Sequence, residues 1–328
     1  MEEVLDNFSN DYSSQRAFIK EPMSETTNDY SMHHSLARSL MSNKLISFCI
    51  ILSLLVFFGV IIGEKNKFFS RFIPKLRGEI ALPDNYVVTS IDQKFPILIK
   101  KNDPRVADQL RYKGTVESVF DDTALNLCMR GEKVVEVGAH YGYNSIMLGQ
   151  TLKMGGKYIA IEGNPNVARC LYKNIVLNDL SNTVEIIRTA VSDHKGTCSI
   201  DDIVSTIQDD QGSNSVITRK ITVECNSLNE ILKNEQQISL ILIDLPSSVF
   251  SILRGADRII EESDNIRVLV SLDMDKIGKT FDIRRELTFL SQRGLKFYEV
   301  TSENGIKEIF IDEIANKKKL VLLMKKEN

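Results

Sequence analysis

Val134-Val135-Glu136-Val137-Gly138-Ala139-His140-Tyr141-Gly142-Tyr143-Asn144-Ser145 is followed, after a helical interval, by Tyr158-Ile159-Ala160-Ile161-Glu162. An apolar strand carrying one acid runs into a Gly-x-x-x-Gly turn, a helix follows, and a second apolar strand ends on another acid. An α/β sheet presents a nucleoside-bearing cofactor in this way, at the carboxyl ends of its first two strands. Gly138 and Gly142 let the backbone come close to a ligand, and Glu162 is placed to accept hydrogen bonds from both hydroxyls of a ribose.

The glycine spacing separates one cofactor class from another. A dinucleotide site uses Gly-x-Gly-x-x-Gly, because its pyrophosphate rests on backbone N–H groups at a helix N-terminus. Here His140 stands where the middle glycine would be, which crowds a diphosphate and disfavours an NAD-dependent oxidoreductase. S-adenosylmethionine (SAM) has no phosphate. Its ammonium group calls for an anion, and Glu136 at the strand end supplies one directly or through water.

The flanking sequence predicts a doubly wound, mostly parallel sheet. Strands are expected at 134–137, 158–161, 184–190, 239–244 and 268–272, with helices at 116–128, 146–152, 164–177 and from the 239–244 strand to about residue 260. A small hairpin (86–88 and 96–99) precedes this core. An added hairpin or flexible loop interrupts it between Asp193 and Glu224, around Gly212-Ser213-Asn214-Ser215. A helix at 281–293 and strands at 297–300 and 320–324 close the domain, giving an otherwise parallel Rossmann-like sheet a terminal antiparallel strand.

The first 78 residues are organised differently. Residues 1–43 hold seven acids against three Lys or Arg and no apolar rhythm, the composition of a disordered tail. Leu45 to Gly63 contains no charged residue and is apolar on every face. At about 1.5 Å per residue, that length just crosses a hydrocarbon core of about 30 Å, so a transmembrane helix is expected. Two Lys or Arg lie in the fifteen residues before it and five in the fifteen after, which orients the C-terminal side to the cytoplasm and the tail outward. Residues 64–78 read as a basic and aromatic juxtamembrane linker, and 79–328 as the catalytic domain. A net charge of −3 provides no basic field for nucleic acid. The five cysteines show neither paired nor metal-ligating spacing, in keeping with reduced thiols, and no metal site is expected.

From about Asp84 to Met324 the chain resembles the FkbM family of SAM-dependent methyltransferases. The resemblance is carried by Glu136-Val-Gly138-Ala-His140-Tyr-Gly142-Tyr, Glu162-Gly-Asn164-Pro165, Asn174-Ile-Val-Leu-Asn178, Ala190-Val191-Ser192-Asp193, Ser227-Leu228-Asn229-Glu230, and Ile243-Asp244 running to Leu253-Arg254-Gly255-Ala256. It implies O-methylation of a sugar, glycan or other small hydroxylated metabolite. By position, Glu136, Gly138 and Gly142 would hold the methionine end of SAM, Glu162 the ribose and Asn164 the region beside it, with Val191 and Asp193 near the adenine. The chain departs from the family at His140, commonly Asn, at Asn229, commonly Asp, and at Leu245-Pro246-Ser247-Ser248-Val249, where the family carries a further Glu.

Methyl transfer to oxygen needs alignment and removal of the acceptor proton. Asp244, at the end of a central strand, is the candidate base, with capping of the next helix as its alternative role. His140 is a second candidate base or a contact of the cofactor loop. Asp273 and Asp275 would bind acceptor hydroxyls or a divalent ion, or simply form a solvated turn. Because carboxylates near the acceptor are missing, a membrane-tethered SAM-binding scaffold without turnover stands as the alternative function.

Overall fold

The computed structural model describes residues 80–82, 86–101, 103, 110, 118–208, 214–277, 280–303 and 305–326, all within one compact unit, Pro74–Asn328. The expected tail, transmembrane segment and linker lie outside the described residues. No helix among the described residues is long and apolar enough to cross a membrane.

β1 (Ile80–Leu82), β2 (Tyr86–Ile91) and β3 (Phe95–Lys100) form a small antiparallel sheet. After α1 (Val119–Leu127) come β4 (Lys133–Val137), α2 (Tyr143–Leu152), β5 (Lys157–Ile161), α3 (Pro165–Leu177) and β6 (Val184–Ile187). β7 (Ala190–Ser192), β8 (Gly196–Gln208) and β9 (Asn214–Ser227) build a second small sheet, and α4 (Leu228–Ile231) leads back to β10 (Leu240–Ile243). The chain ends with α5 (Val249–Arg254), α6 (Asp257–Glu262), β11 (Arg267–Asp273), α7 (Met274–Ile277), α8 (Ile283–Ser291), β12 (Leu295–Thr301), β13 (Gly305–Glu308), α9 (Ile311–Ala315) and β14 (Lys319–Lys326).

The central sheet has the order β13-β12-β14-β11-β10-β4-β5-β6. β11, β10, β4, β5 and β6 are parallel in sequence of pairing, and β14 runs antiparallel between β11 and β12. Successive residues alternate between two apolar layers: Val135, Val137, Ile241 and Ile243 face one, and Val134, Tyr158, Leu240 and Leu242 the other. Strands covered on both faces have no solvent-facing positions, and so their sequence is apolar throughout.

Three differences from the expected elements have local causes. The strand expected at 184–190 divides, because residues 190–192 leave the central sheet and pair in parallel with β9. The interruption after Asp193 is a hairpin with strands of 13 and 14 residues. The last strand is antiparallel as expected, but it lies inside the sheet, with β12 and the additional β13 outside it.

Asn174 and Asn178 fasten the N-terminal sheet to the core. The fully buried Asn174 accepts from the Leu98 N–H through Oδ1 at 2.6 Å and donates through Nδ2 to the carbonyls of Leu98 and Tyr141. Its amide thus pairs with Leu98 as a neighbouring strand would. Asn178 donates likewise to the Pro96 carbonyl at 2.8 Å.

Candidate functional site

The sheet changes winding direction between β4 and β10, since β5 and β6 lie on one side of β4, and β10 and β11 on the other. Such a switch leaves a crevice at the carboxyl ends of the two strands. The turn after β4 lines it. Gly138 and Ala139 both donate to the Ile161 carbonyl at the end of β5, and Gly142 donates back to Ala139. Gly138 (φ 84°), His140 (φ 55°) and Gly142 (φ 86°) all lie in the left-handed region. Histidine and asparagine are the kinds of side chain most often tolerated there, which accounts for His140 at a position where the resemblance leads one to expect Asn.

Each expected cofactor residue has a definite place. Glu162 accepts the His140 N–H at 2.9 Å through one oxygen and the Asn164 N–H at 2.7 Å through the other. Each oxygen keeps a second lone pair for a ligand hydroxyl. Asn164 caps α3, its Oδ1 accepting from Asn166 and Val167, and donates through Nδ2 to Asp202 of β8. A Cβ on Gly138 would lie 2.9 Å from the Leu245 side chain, so the turn and the segment after β10 are in close approach. A Cβ on Gly142 would meet Leu171 of α3 at 2.5 Å. Gly142 therefore permits close packing of the turn against α3.

Ala190 packs against Gly163, which brings the start of β7, and Val191 with it, beside Glu162. Asp193 lies farther along. It is bonded to His194 Nδ1 at 2.6 Å and to Ser192, and the His194 hydrogen bond is the main reason its pKa lies below the ordinary carboxylate value.

Glu136 points into the layer that contains α2. It is 7% exposed and accepts from the Ser145 hydroxyl and from the Tyr158 hydroxyl, each at 2.7 Å. Burial pushes its pKa up to about 7, against the opposing pull of those hydrogen bonds. Asn144 also hydrogen-bonds Glu136, which likewise opposes the rise, and Asn144 Oδ1 has no hydrogen-bond partner among the described residues. A ligand ammonium nearby would favour the ionised form.

Two acids absent from the sequence expectations join this group. Asp121, in the first turn of α1, accepts from Asn144 Nδ2 at 2.8 Å and from Ser118. Burial raises its pKa, and the charges of Asp244 and Asp122 raise it further, which places Asp121 within electrostatic reach of Asp244. Asp103 is fully buried and lies 3.1 Å from His140 Nε2, fixing the imidazole beside the cofactor turn. Asp244 itself is exposed just beyond β10. It does not cap the next helix: the N-cap of α5 is Ser248. Asn229 lies elsewhere, donating to Asp257 and accepting from Ile259 N–H. An Asp at position 229 would set two carboxylates against each other.

Glu136, Asp121, Asp244 and Glu162 bring four carboxyl groups to this end of the sheet. That chemistry fits SAM, which joins a nucleoside to a sulfonium and an ammonium. Among the described residues no group of His, Cys, Asp and Glu is arranged to hold a metal ion, and Cys128 and Cys170 are buried free thiols.

Residues 136–297 match the model of the methyltransferase FkbM domain. The chain belongs to this family of SAM-dependent methyltransferases, and SAM is its cofactor. No curated protein matches it. Similar solved structures include a precorrin-6y C5,15-methyltransferase from Geobacter metallireducens GS-15, 10% identical over 63% of this chain and 87% of that one, TM-score 0.38. A TehB-like SAM-dependent methyltransferase from Corynebacterium glutamicum is 12% identical over 67% and 94%, TM-score 0.41. M. jannaschii TYW2 in complex with AdoMet is 14% identical over 75% and 87%, TM-score 0.41.

The raised pKa of Glu136 has a measurable consequence. A carboxyl that titrates near 4.5 when unfolded and about 7 when folded contributes stability that is full below pH 4.5 and lost as pH rises to about 7. Relative to Glu136→Gln, the wild-type chain should therefore lose stability on the order of 3 kcal/mol across that window. Urea unfolding of both proteins from pH 4.5 to 8 measures the difference, and a difference independent of pH would show that Glu136 is ionised throughout.

Proposed function

We propose that the chain is a membrane-anchored O-methyltransferase acting on a hydroxyl of a sugar, glycan or other small metabolite, with its catalytic domain in the cytoplasm. The observation that carries the catalytic part is the position of Asp244. Its carboxylate is exposed at the end of the central strand β10, is not engaged as a helix cap, and lies within electrostatic reach of Asp121.

Bound at the crevice, SAM supplies an electrophilic methyl group. Glu162 would hold the ribose, and Glu136, with the turn from Gly138 to Gly142, the methionine end. Asn164 and Asp202 brace the start of α3 next to the ribose, while Val191 and Asp193 would line the adenine side. Asp244 accepts the proton of the acceptor hydroxyl as the C–O bond forms and the C–S bond breaks. His140, held by Asp103, is the second candidate base.

Two features support the anchoring. Leu45 to Gly63 has the length and composition of a bilayer span, and the cationic excess follows it. A thiol reagent that cannot cross membranes should label Ser14→Cys in intact cells and leave exposed cysteines placed in the domain unmodified; labelling of the domain alone would reverse the topology.

The acceptor can be found by comparing metabolites and glycans from cells with and without the gene, seeking species that differ by the mass of one methylene group. With that acceptor, Asp244→Asn should keep SAM affinity within a few-fold while turnover falls by about 10² to 10⁴. Unchanged turnover would remove Asp244 as the base. SAM binding with no methylated product in the wild type would favour a scaffold that binds the cofactor without turnover.

A further inference from the structure

A cleft of about 400 Å³ opens at the carboxyl ends of β11 and β12 and the amino end of the antiparallel β14, separate from the cofactor turn. Its volume suits a small-molecule ligand. Val119 and Pro246 form the side toward the candidate base: Val119 begins α1 two residues before Asp121, and Pro246 follows Asp244 by two. The remaining wall mixes four aliphatic side chains, Leu272, Val300, Leu320 and Val321, with polar and charged ones, Asp273 among them.

Asp273 is 5% exposed. Its Oδ2 lies 3.3 Å from Lys319 Nζ and 3.9 Å from Lys276 Nζ. Its Oδ1 is buried without a hydrogen-bond partner among the described residues. Burial opposes ionisation here, but Lys319, the Lys276 N–H and the Lys276 charge outweigh it and hold the pKa below the ordinary carboxylate value. Glu299, the other acid lining the cleft, is occupied by Lys317 at 2.7 and 3.0 Å. The cleft thus offers an ionised carboxylate oxygen with unused acceptor capacity. A buried polar atom left in this state is uncommon in native proteins and is satisfied by a donor from outside the chain.

We propose that this cleft holds the methyl acceptor and that Asp273 is its positioning residue, with Oδ1 accepting a hydrogen bond from an acceptor hydroxyl other than the one methylated. This rests on the O-methyltransferase reading. The ligand this chemistry selects presents several hydroxyls on an aliphatic body: the Val, Leu and Pro side chains pack against its C–H faces, and Asp273 takes one O–H. A neighbouring hydroxyl is then directed toward Pro246 and Asp244. Asp273 touches no reacting atom and acts through the placement of the acceptor. A purely structural role, as the residue between β11 and α7, would affect folding and cofactor binding alike.

The test uses the full-length chain in a sugar-free detergent, saturated with S-adenosylhomocysteine. Saturation-transfer NMR with methyl hexopyranosides and myo-inositol as probes should detect binding in the millimolar range. Asp273→Ala should weaken that binding at least about tenfold while SAM affinity stays within about twofold. Absence of probe binding in a wild-type chain that binds SAM would overturn the proposal, as would equal binding by Asp273→Ala. If Asp273→Ala loses SAM binding through misfolding, Ser302→Phe decides the matter, because it obstructs the same cleft from an exposed position. Weaker probe binding by this variant supports the cleft and unchanged binding overturns it. Probe binding that depends on Asp273 in a chain showing no methyl transfer would retain the cleft and refute the catalytic reading.

Discussion

The turn from Gly138 to Gly142 is the constraint on which the rest of the site depends. It takes three residues into the left-handed region within five positions, and such a conformation persists only when its surroundings hold it. The Ile161 carbonyl receives two of its N–H groups and the Glu162 carboxylate a third. The Tyr141 carbonyl is bound by Asn174, and Leu171 fills the space beside Gly142. Because β5 and α3 supply these partners, the turn can form only when the parallel pairing of β4 with β5 and the packing of α3 are already in place. Glu162 has a double part here: one carboxylate accepts from both the turn and the start of α3.

Charge distribution follows from the same geometry. Acidic side chains at the ends of β4, β5 and β10 are brought together by parallel pairing, and α1 adds Asp121. Burial disfavours the ionised form of the two most enclosed of them, Glu136 and Asp121. Glu136, hydrogen-bonded to Ser145 and Tyr158, is poised near neutrality. A cationic ligand lowers the cost of ionising such a group. Asp244, by contrast, is exposed just beyond β10.

Much of this was legible in the sequence because it is local. Continuous apolar strands, the Asn164-Pro165 helix start and the two glycines all report short-range stereochemistry, and the described structure has the strands, the cap and the positive φ values where they point. Contacts joining distant segments were not legible. Asp103 meets His140 across 37 positions and Asn164 meets Asp202 across 38, and no spacing rule connects such pairs. Asp121 looked like an ordinary acid in the first turn of a helix. The division of the 184–190 strand likewise depends on β9, some 35 residues away. The Asn174 and Asn178 block was visible as a motif, yet its reason, an amide standing in for a strand partner, emerges only when the N-terminal sheet is in place.

The central claim is that the ends of β4 and β5 hold the cofactor, with Glu162 on the ribose. Isothermal titration of SAM into the full-length chain and its Glu162→Ala variant tests it most directly. The account predicts a loss of roughly 1.5 to 3 kcal/mol, about tenfold or more in affinity, with the far-ultraviolet circular dichroism retained. Equal affinity in a folded variant would contradict it and move the cofactor away from this carboxylate.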